Sequence, residues 1–332
     1  YALIAIGEDG APFASFRYII MGTIGACFYL LAIGYLYIVT GSLNMADLAR
    51  LLPPLYGSKV VLTAFAFFMV GIAIKMALFP LHVWLPDAYT KAPSAVSALV
   101  APLMTKVSVY VMIRILFGVF APSFSISFIP AMKILLVAGI VAIFTGAILA
   151  LAQKDFKRML CYIIVAEVGY MVGGVGLANT TALRGAVLHI ANDVVMTAGL
   201  FAVAGIINYK MREHRLDDFK DMFKRMPFTM AAFATIALSI IGVPPTGGFF
   251  SKWYLLQGAL QEGSWIFVAA LLFSSLVNVV LFFRIFEIGY GFHGDHGHAA
   301  GDGGEAVAIR EAPLSMLVPL MITAAAIVLL GL

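Results

Sequence analysis

Charge and sulfur are both scarce in this chain. Asp, Glu, Lys and Arg make up 11% of its 332 residues, and cysteine occurs only twice. Soluble domains carry about 25% charged residues, so 11% charge with 62% hydrophobic residues and a mean hydropathy of +1.01 excludes the soluble globular class. The composition is that of an all-α polytopic membrane protein, whose surroundings are the lipid bilayer. Cys27 and Cys161 both fall in apolar segments, and no CxxC, CxxCH or Cys/His spacing occurs. The chain therefore offers no ligand set for an iron–sulfur cluster or a c-type haem, and any redox chemistry is expected in partners, with no cofactor in this chain. No GxxxxGKS or GxxxxGKT occurs, and no GxGxxG follows a strand, which argues against an ATP-driven pump. An isoelectric point near 9.0 would suggest nucleic acid in a soluble protein. Here the basic residues cluster in loops on one side and read as topology signals, with no nucleic-acid partner.

Long apolar runs are abundant. A membrane span needs about 20 largely apolar residues. Nine segments qualify, at 18–40, 60–80, 94–118, 131–152, 157–178, 183–208, 228–261, 264–287 and 314–332. All are expected to be helical, because backbone amides in lipid must find partners within their own segment. Alternating the connections puts Arg17, Lys91, Lys154, Lys157, Arg158, Lys210, Arg212, Arg215, Lys220, Lys224, Arg225 and Arg310 on one side, against Arg50, Lys59, Lys133 and Arg184 on the other. The richer side is the cytoplasmic one, or its organellar equivalent. Residues 209–227 show helical apolar spacing at Leu216, Phe219, Met222 and Phe223, which predicts a short amphipathic helix at that surface. Tyr at position 1 and an apolar run to Leu332 predict a fragment of a longer chain. The expected organisation is the end of a truncated helix and a loop over 1–17, an eight-helix transporter domain over 18–290, a Gly/His-rich loop over 291–313, and a last, truncated helix over 314–332.

A lysine at the bilayer centre costs about 2.5 to 3.5 kcal/mol on insertion scales, so ionisable residues inside spans are usually paired and functional. Six stand well inside: Lys75, Lys106, Glu167, His189, Asp193 and Lys252. Arg284 and Glu287 lie near a span end and are expected to reach the surface. The second and seventh spans also carry helix breakers, Pro80 and Pro86 after Lys75, and GVPPTGGFFSK before Lys252. An odd number of spans separates them, so the chain crosses in opposite directions at the two lysines. That is the pattern of inverted repeats whose broken helices meet an ion path near the midplane. Desolvation disfavours a charged amine and a neighbouring carboxylate favours it, so moving the partner charge makes a lysine release or take a proton. A row of such sites is a proton relay. His189 and Asp193 are four residues apart on one helix face, with Glu167 on the preceding helix. Any one of these residues taken alone is also compatible with a structural ion pair or hydrogen bond, but six together point to function. His82, near the membrane interface, is a candidate gate or anchor. FHGDHGHAAGDGG, residues 292–304, holds three histidines among glycines that fix no geometry, and reads as a solvated loop without a metal.

Several runs carry a resemblance. FRYIIMGTIGACFYLLAIGYLYIVTGSLNMADLA, K-x4-P-x-H-x-WLPDAYTKAPSAVSAL, LMTKVSVYVMIR, LAQKDFKRMLCY and PPTGGFFSKWYL are similar to the antiporter-like, proton-conducting membrane subunits shared by respiratory complex I, membrane-bound hydrogenases and Mrp-type cation/proton antiporters. The resemblance covers essentially the whole chain and implies an antiporter-like inverted-repeat bundle with two broken helices. By it, the chain spans the family's sixth to fourteenth helices. It implies that Lys75 matches the essential lysine of the broken seventh helix, Lys106 the bridging residue of the eighth, and Lys252 the lysine of the broken twelfth. The family's glutamate on the fifth helix, which pairs with the first lysine, has no counterpart here; YALIAIG looks like that helix's tail, and Glu8 and Asp9 are not the glutamate. Three positions depart from the family pattern: Asp193 and Thr197 stand where many members have histidine and lysine, and Glu167 where glutamine or histidine is common. The resemblance implies a proton-translocating subunit, within a redox-driven translocase of the NADH:quinone oxidoreductase or membrane-bound hydrogenase type, in a bacterial or archaeal plasma membrane. It also implies other membrane subunits as partners. The alternatives are an Mrp-type monovalent cation/proton antiporter, with sodium as a second coupling ion favoured by the added acidity, and a structural scaffold without transport.

Overall fold

The computed structural model describes residues 1–7, 9–211, 215–291 and 311–332, and no β-sheet occurs among them. The Gly/His-rich stretch 292–310 lies outside the described residues. A short α1 (Ala2–Ala5) leads to α2 (Ala11–Thr40). α2 starts seven residues earlier than the apolar run suggests. Gly10 adopts the left-handed conformation, φ 84°, and a proline occupies the first helical turn, so the local chemistry starts a helix there. Arg17 is then held on the helix by Asp87, 2.7 Å away, instead of marking its edge.

α3 (Met45–Leu51) is capped by the Asn44 side chain, and α4 (Lys59–Lys75) by that of Ser58. After a non-helical break come α5 (Trp84–Lys91) and α6 (Ser94–Arg114). α7 (Ala131–Leu151) and α8 (Phe156–Gly176) form an antiparallel pair, and α9 (Thr180–Met211) follows. The expected amphipathic surface helix is not formed as one element. It consists of a 3₁₀ turn at Leu216–Phe219 and a single helical turn, α10 (Met222–Arg225), divided by Asp221 at φ 58°. Its apolar residues face inward: Leu216, Phe219 and Met222 are buried, Phe219 meets Phe156 and Phe233, and Phe223 stacks on Tyr290. The spacing is helical because the segment plugs the end of the bundle.

The seventh expected span is also two helices, α11 (Pro227–Ile241) and α12 (Gly247–Gln261). α13 (Trp265–Tyr290) and α14 (Leu314–Leu329) complete the described chain. Among the described residues six helices are long and apolar enough to cross a membrane: α2, α6 with its π-helical extension to Val119, α7, α8, α9 and α13. The first halves of the two broken pairs, α4 and α11, and the 16-residue α14 are shorter apolar helices. Outward-facing side chains such as Leu30, Ile38, Leu99, Ile134 and Leu272 are exposed and apolar, as a lipid-facing surface requires.

α8 sits at the centre, with 94% of its apolar window buried. Its glycines make this possible. A methyl group on Gly139 of α7 would meet Gly173 of α8 at 2.6 Å, so the two backbones touch where neither has a side chain. Gly169 faces α7, and Glu167, two residues earlier and roughly half a turn round the helix, faces the other way, toward α9 and α12. α9 packs against α6, α8, α11, α12 and α14, so any residue on its inner face reaches several helices.

Candidate functional site

The site begins at the two breaks. α4 ends at Lys75, and Ala77 turns the chain with φ 56°. The Ile74 carbonyl that the break frees accepts the indole N–H of Trp84 at 3.0 Å, which ties α5 back onto α4. The second break is satisfied in a similar way. Gly242 turns the chain at φ 95°, and the freed Ile240 carbonyl accepts a hydrogen bond from the Lys252 ammonium. Asn192 of α9 donates to the Gly247 carbonyl at 2.6 Å, and the Gly248 amide donates to the Ser239 hydroxyl at 3.2 Å. Side chains thus take up the backbone groups that lipid would leave unpaired. Both lysines stand at the C-terminal end of a half-helix, Lys75 as the last residue of α4 and Lys252 through the Ile240 carbonyl. The partial negative charge of a helix C-terminus favours a cation there.

Between the breaks lie two buried ionic clusters. In one, Lys106 of α6 places its Nζ 3.1 Å from Asp193 Oδ2, and both side chains are at most 2% exposed. The Thr197 hydroxyl accepts from Lys106 at 3.1 Å and donates to Asp193 Oδ1 at 2.8 Å. In the other, Glu167 Oε2 and His189 Nε2 are 2.5 Å apart, and His189 Nδ1 lies 2.9 Å from the Ser251 hydroxyl. Glu167 Oε1 accepts no hydrogen bond and stands 3.9 Å from Lys252 Nζ, which also lies over the Tyr170 ring at 4.9 Å from its centre. One carboxylate in each cluster therefore meets one lysine, so the buried charge is balanced locally. The neutral-to-charged steps of a lysine, a carboxylate and an imidazole are all available within hydrogen-bond reach, which is what stepwise proton transfer requires.

Five of the expected residues, Lys106, Glu167, His189, Asp193 and Lys252, fall into these two clusters. Glu167 meets His189 as their helix positions suggest, while Asp193 turns to Lys106 on α6 instead. Lys75 joins neither cluster. Among the described residues it makes no hydrogen bond or ion pair, and it lines a cavity of about 340 Å³ with Tyr29 of α2 and Ser108 of α6. His82 lies inside the first break, 7% exposed, beside Phe79 and Tyr162, and its Nδ1 has no hydrogen-bond partner. Lys157, counted above among loop cations, is wholly buried in the first turn of α8 and donates to the Ala92 carbonyl at 3.2 Å. The asymmetry of the loops survives without it. Arg284 and Glu287 are exposed, as a span end implies.

Sequence reasoning does not single out Ser251, Asn192 or Tyr170. Their polarity is ordinary, and only the packing of α8, α9 and α12 shows that each touches the clusters or the break. Among the described residues no group of three His, Cys, Asp or Glu side chains is placed to hold a metal ion.

Comparison with known proteins agrees with this fold. The family described as "NADH:quinone oxidoreductase/Mrp antiporter, TM" matches residues 1–278. An NADH-quinone oxidoreductase subunit of Desulforudis audaxviator is 48% identical over 336 residues, covering 100% of this chain and 67% of that protein. A Na(+)/H(+) antiporter subunit of Alkalihalophilus pseudofirmus is 34% identical, covering 90% of this chain and 59% of that protein. A chain of the membrane-bound sulfane sulfur reductase, an archaeal respiratory membrane complex, superposes with a TM-score of 0.87 at 29% identity, covering 100% of this chain and 65% of that one. With two broken helices, two buried ion clusters and a family match over most of its length, the chain belongs to the NADH:quinone oxidoreductase/Mrp antiporter transmembrane family.

Proposed function

We propose that this chain is a proton-translocating membrane subunit of a complex I-like NADH:quinone oxidoreductase, carrying protons along Lys75, Lys106, Asp193, His189, Glu167 and Lys252. The observation that carries the reading is the pair of buried clusters at 3.1 Å and 2.5 Å, with Lys252 beside the second. A bundle needs no charge in its core, and each buried ion carries a desolvation cost that packing alone does not justify. The lysines carry protons, the carboxylates set whether each lysine holds one, and His189 connects Glu167 to Ser251. Electron transfer belongs to partner subunits.

The antiporter reading is second, favoured by the identity to a Na(+)/H(+) antiporter subunit and by the acidic Asp193 and Glu167. The test is proton uptake by sealed vesicles holding the intact native complex, with its co-purifying subunits identified by mass spectrometry. Proton uptake that follows electron donor and is unchanged when sodium is replaced by choline supports the first reading. Uptake that needs a sodium gradient and no donor supports the second.

A further inference from the structure

Thr197 of α9 lies in the first ionic cluster but has no place in the relay above. It is buried and stands four residues after Asp193, on the same face of α9. A threonine inside a helix commonly gives its hydroxyl proton to the carbonyl four residues back. Thr40, Thr63, Thr145 and Thr235 all do so here, at 2.6 to 3.0 Å. Thr197 instead donates to the Asp193 carboxylate, at 2.8 Å to Oδ1, while accepting from the Lys106 ammonium at 3.1 Å.

The direct contact between the two ions is different in kind. Lys106 Nζ and Asp193 Oδ2 are 3.1 Å apart, yet Oδ2 accepts no hydrogen bond. Distance without alignment still gives Coulomb attraction, but it is a poor path for a proton, which moves along a donor–acceptor line. The Thr197 hydroxyl supplies that line on both sides. It has one proton to give and lone pairs to receive another. All three side chains are buried, so the aligned path runs through the protein's own groups.

We propose that Thr197 is a proton carrier between Lys106 and Asp193. The inference rests on the proton-carrying role of those two residues. In the step, a Lys106 N–H bond breaks as that proton bonds to Thr197 Oγ1, and the Thr197 O–H bond breaks as its own proton bonds to Asp193 Oδ1. The ammonium becomes an amine and the carboxylate a carboxylic acid, while the hydroxyl is neutral before and after. The reverse passage restores the ion pair.

The test uses the intact complex in sealed vesicles, with flux normalised to assembled complex. Thr197→Val keeps the shape of the side chain and removes the hydroxyl; Thr197→Ser keeps the hydroxyl. Thr197→Val is expected to lower proton flux by at least about tenfold, less than the roughly 100-fold of a positioned acid or base, because the unaligned contact still allows slow transfer. Thr197→Ser is expected to recover most of the flux. The slowing in deuterium oxide should be larger in Thr197→Val than in the parent, since transfer across this gap then limits the rate. A variant that had only lost packing would keep the parent's ratio. Full flux in Thr197→Val, or reduced flux with the parent's deuterium ratio, overturns the carrier. Asp193→Asn measured alongside separates the two ideas: if it too pumps fully, the relay reading itself falls, whereas if it is dead while Thr197→Val is normal, only the carrier does.

Discussion

Replacing Lys106 with Met is expected to destabilise the subunit by about 3 to 5 kcal/mol, because it leaves Asp193 charged and unpaired in the core. Asp193 is 1% exposed, and Thr197 is the other group that hydrogen-bonds it. One hydroxyl compensates a buried carboxylate poorly. Thermal unfolding of the purified complex measures the cost, and the variant's complex should lose this subunit first. The double variant Lys106→Met with Asp193→Leu removes both charges and is expected to regain most of the stability without regaining proton transport. That split separates the two roles of the pair. If the single variant is as stable as the parent, the ion pair is not the one described; if the double variant pumps, the pair carries no protons.

Glu167→Gln is expected to lower proton flux by at least about 100-fold, the lower end of what a positioned proton-transfer group contributes. The amide fills the same space and still reaches His189, so packing around α8 changes little. It cannot carry the charge that balances Lys252, nor take a proton from His189. Glu167→Asp keeps the charge but draws it back by one methylene from His189, now 2.5 Å away, and should recover only part of the flux. Flux in sealed vesicles, normalised to assembled complex, gives the answer. Equal flux in Glu167→Gln and the parent contradicts a charge-bearing role.

The apolar runs located most helices to within a few residues, since lipid demands both length and apolar composition of any spanning segment. The misses have local causes. Arg17 looked like an edge but is held by Asp87, so α2 reaches back to Ala11. The 209–227 segment has helical spacing, yet its apolar side chains fill the end of the bundle. The two breaks were legible because Pro and Gly interrupt otherwise apolar runs next to a lysine. Pairing was less legible. Lys106 and Asp193 stand 87 positions apart, and nothing local says that α6 and α9 meet there. The signal for the centrality of α8 was present in GYMVGGVG, whose glycines permit a backbone contact with α7. Tyr170 carried no signal at all, because a tyrosine in an apolar helix is ordinary until its ring is seen to lie beneath the Lys252 ammonium.

Lys75 offers the cleanest test of proton translocation through buried lysines. It is only partly buried and has no ion-pair partner among the described residues, so Lys75→Ala removes a charge without orphaning another in this structure. The measurement is donor-driven proton uptake by sealed vesicles containing the complete complex, with subunit content determined on the same sample. Uptake abolished in a fully assembled Lys75→Ala complex is the expected result. Undiminished uptake in that complex would contradict the relay.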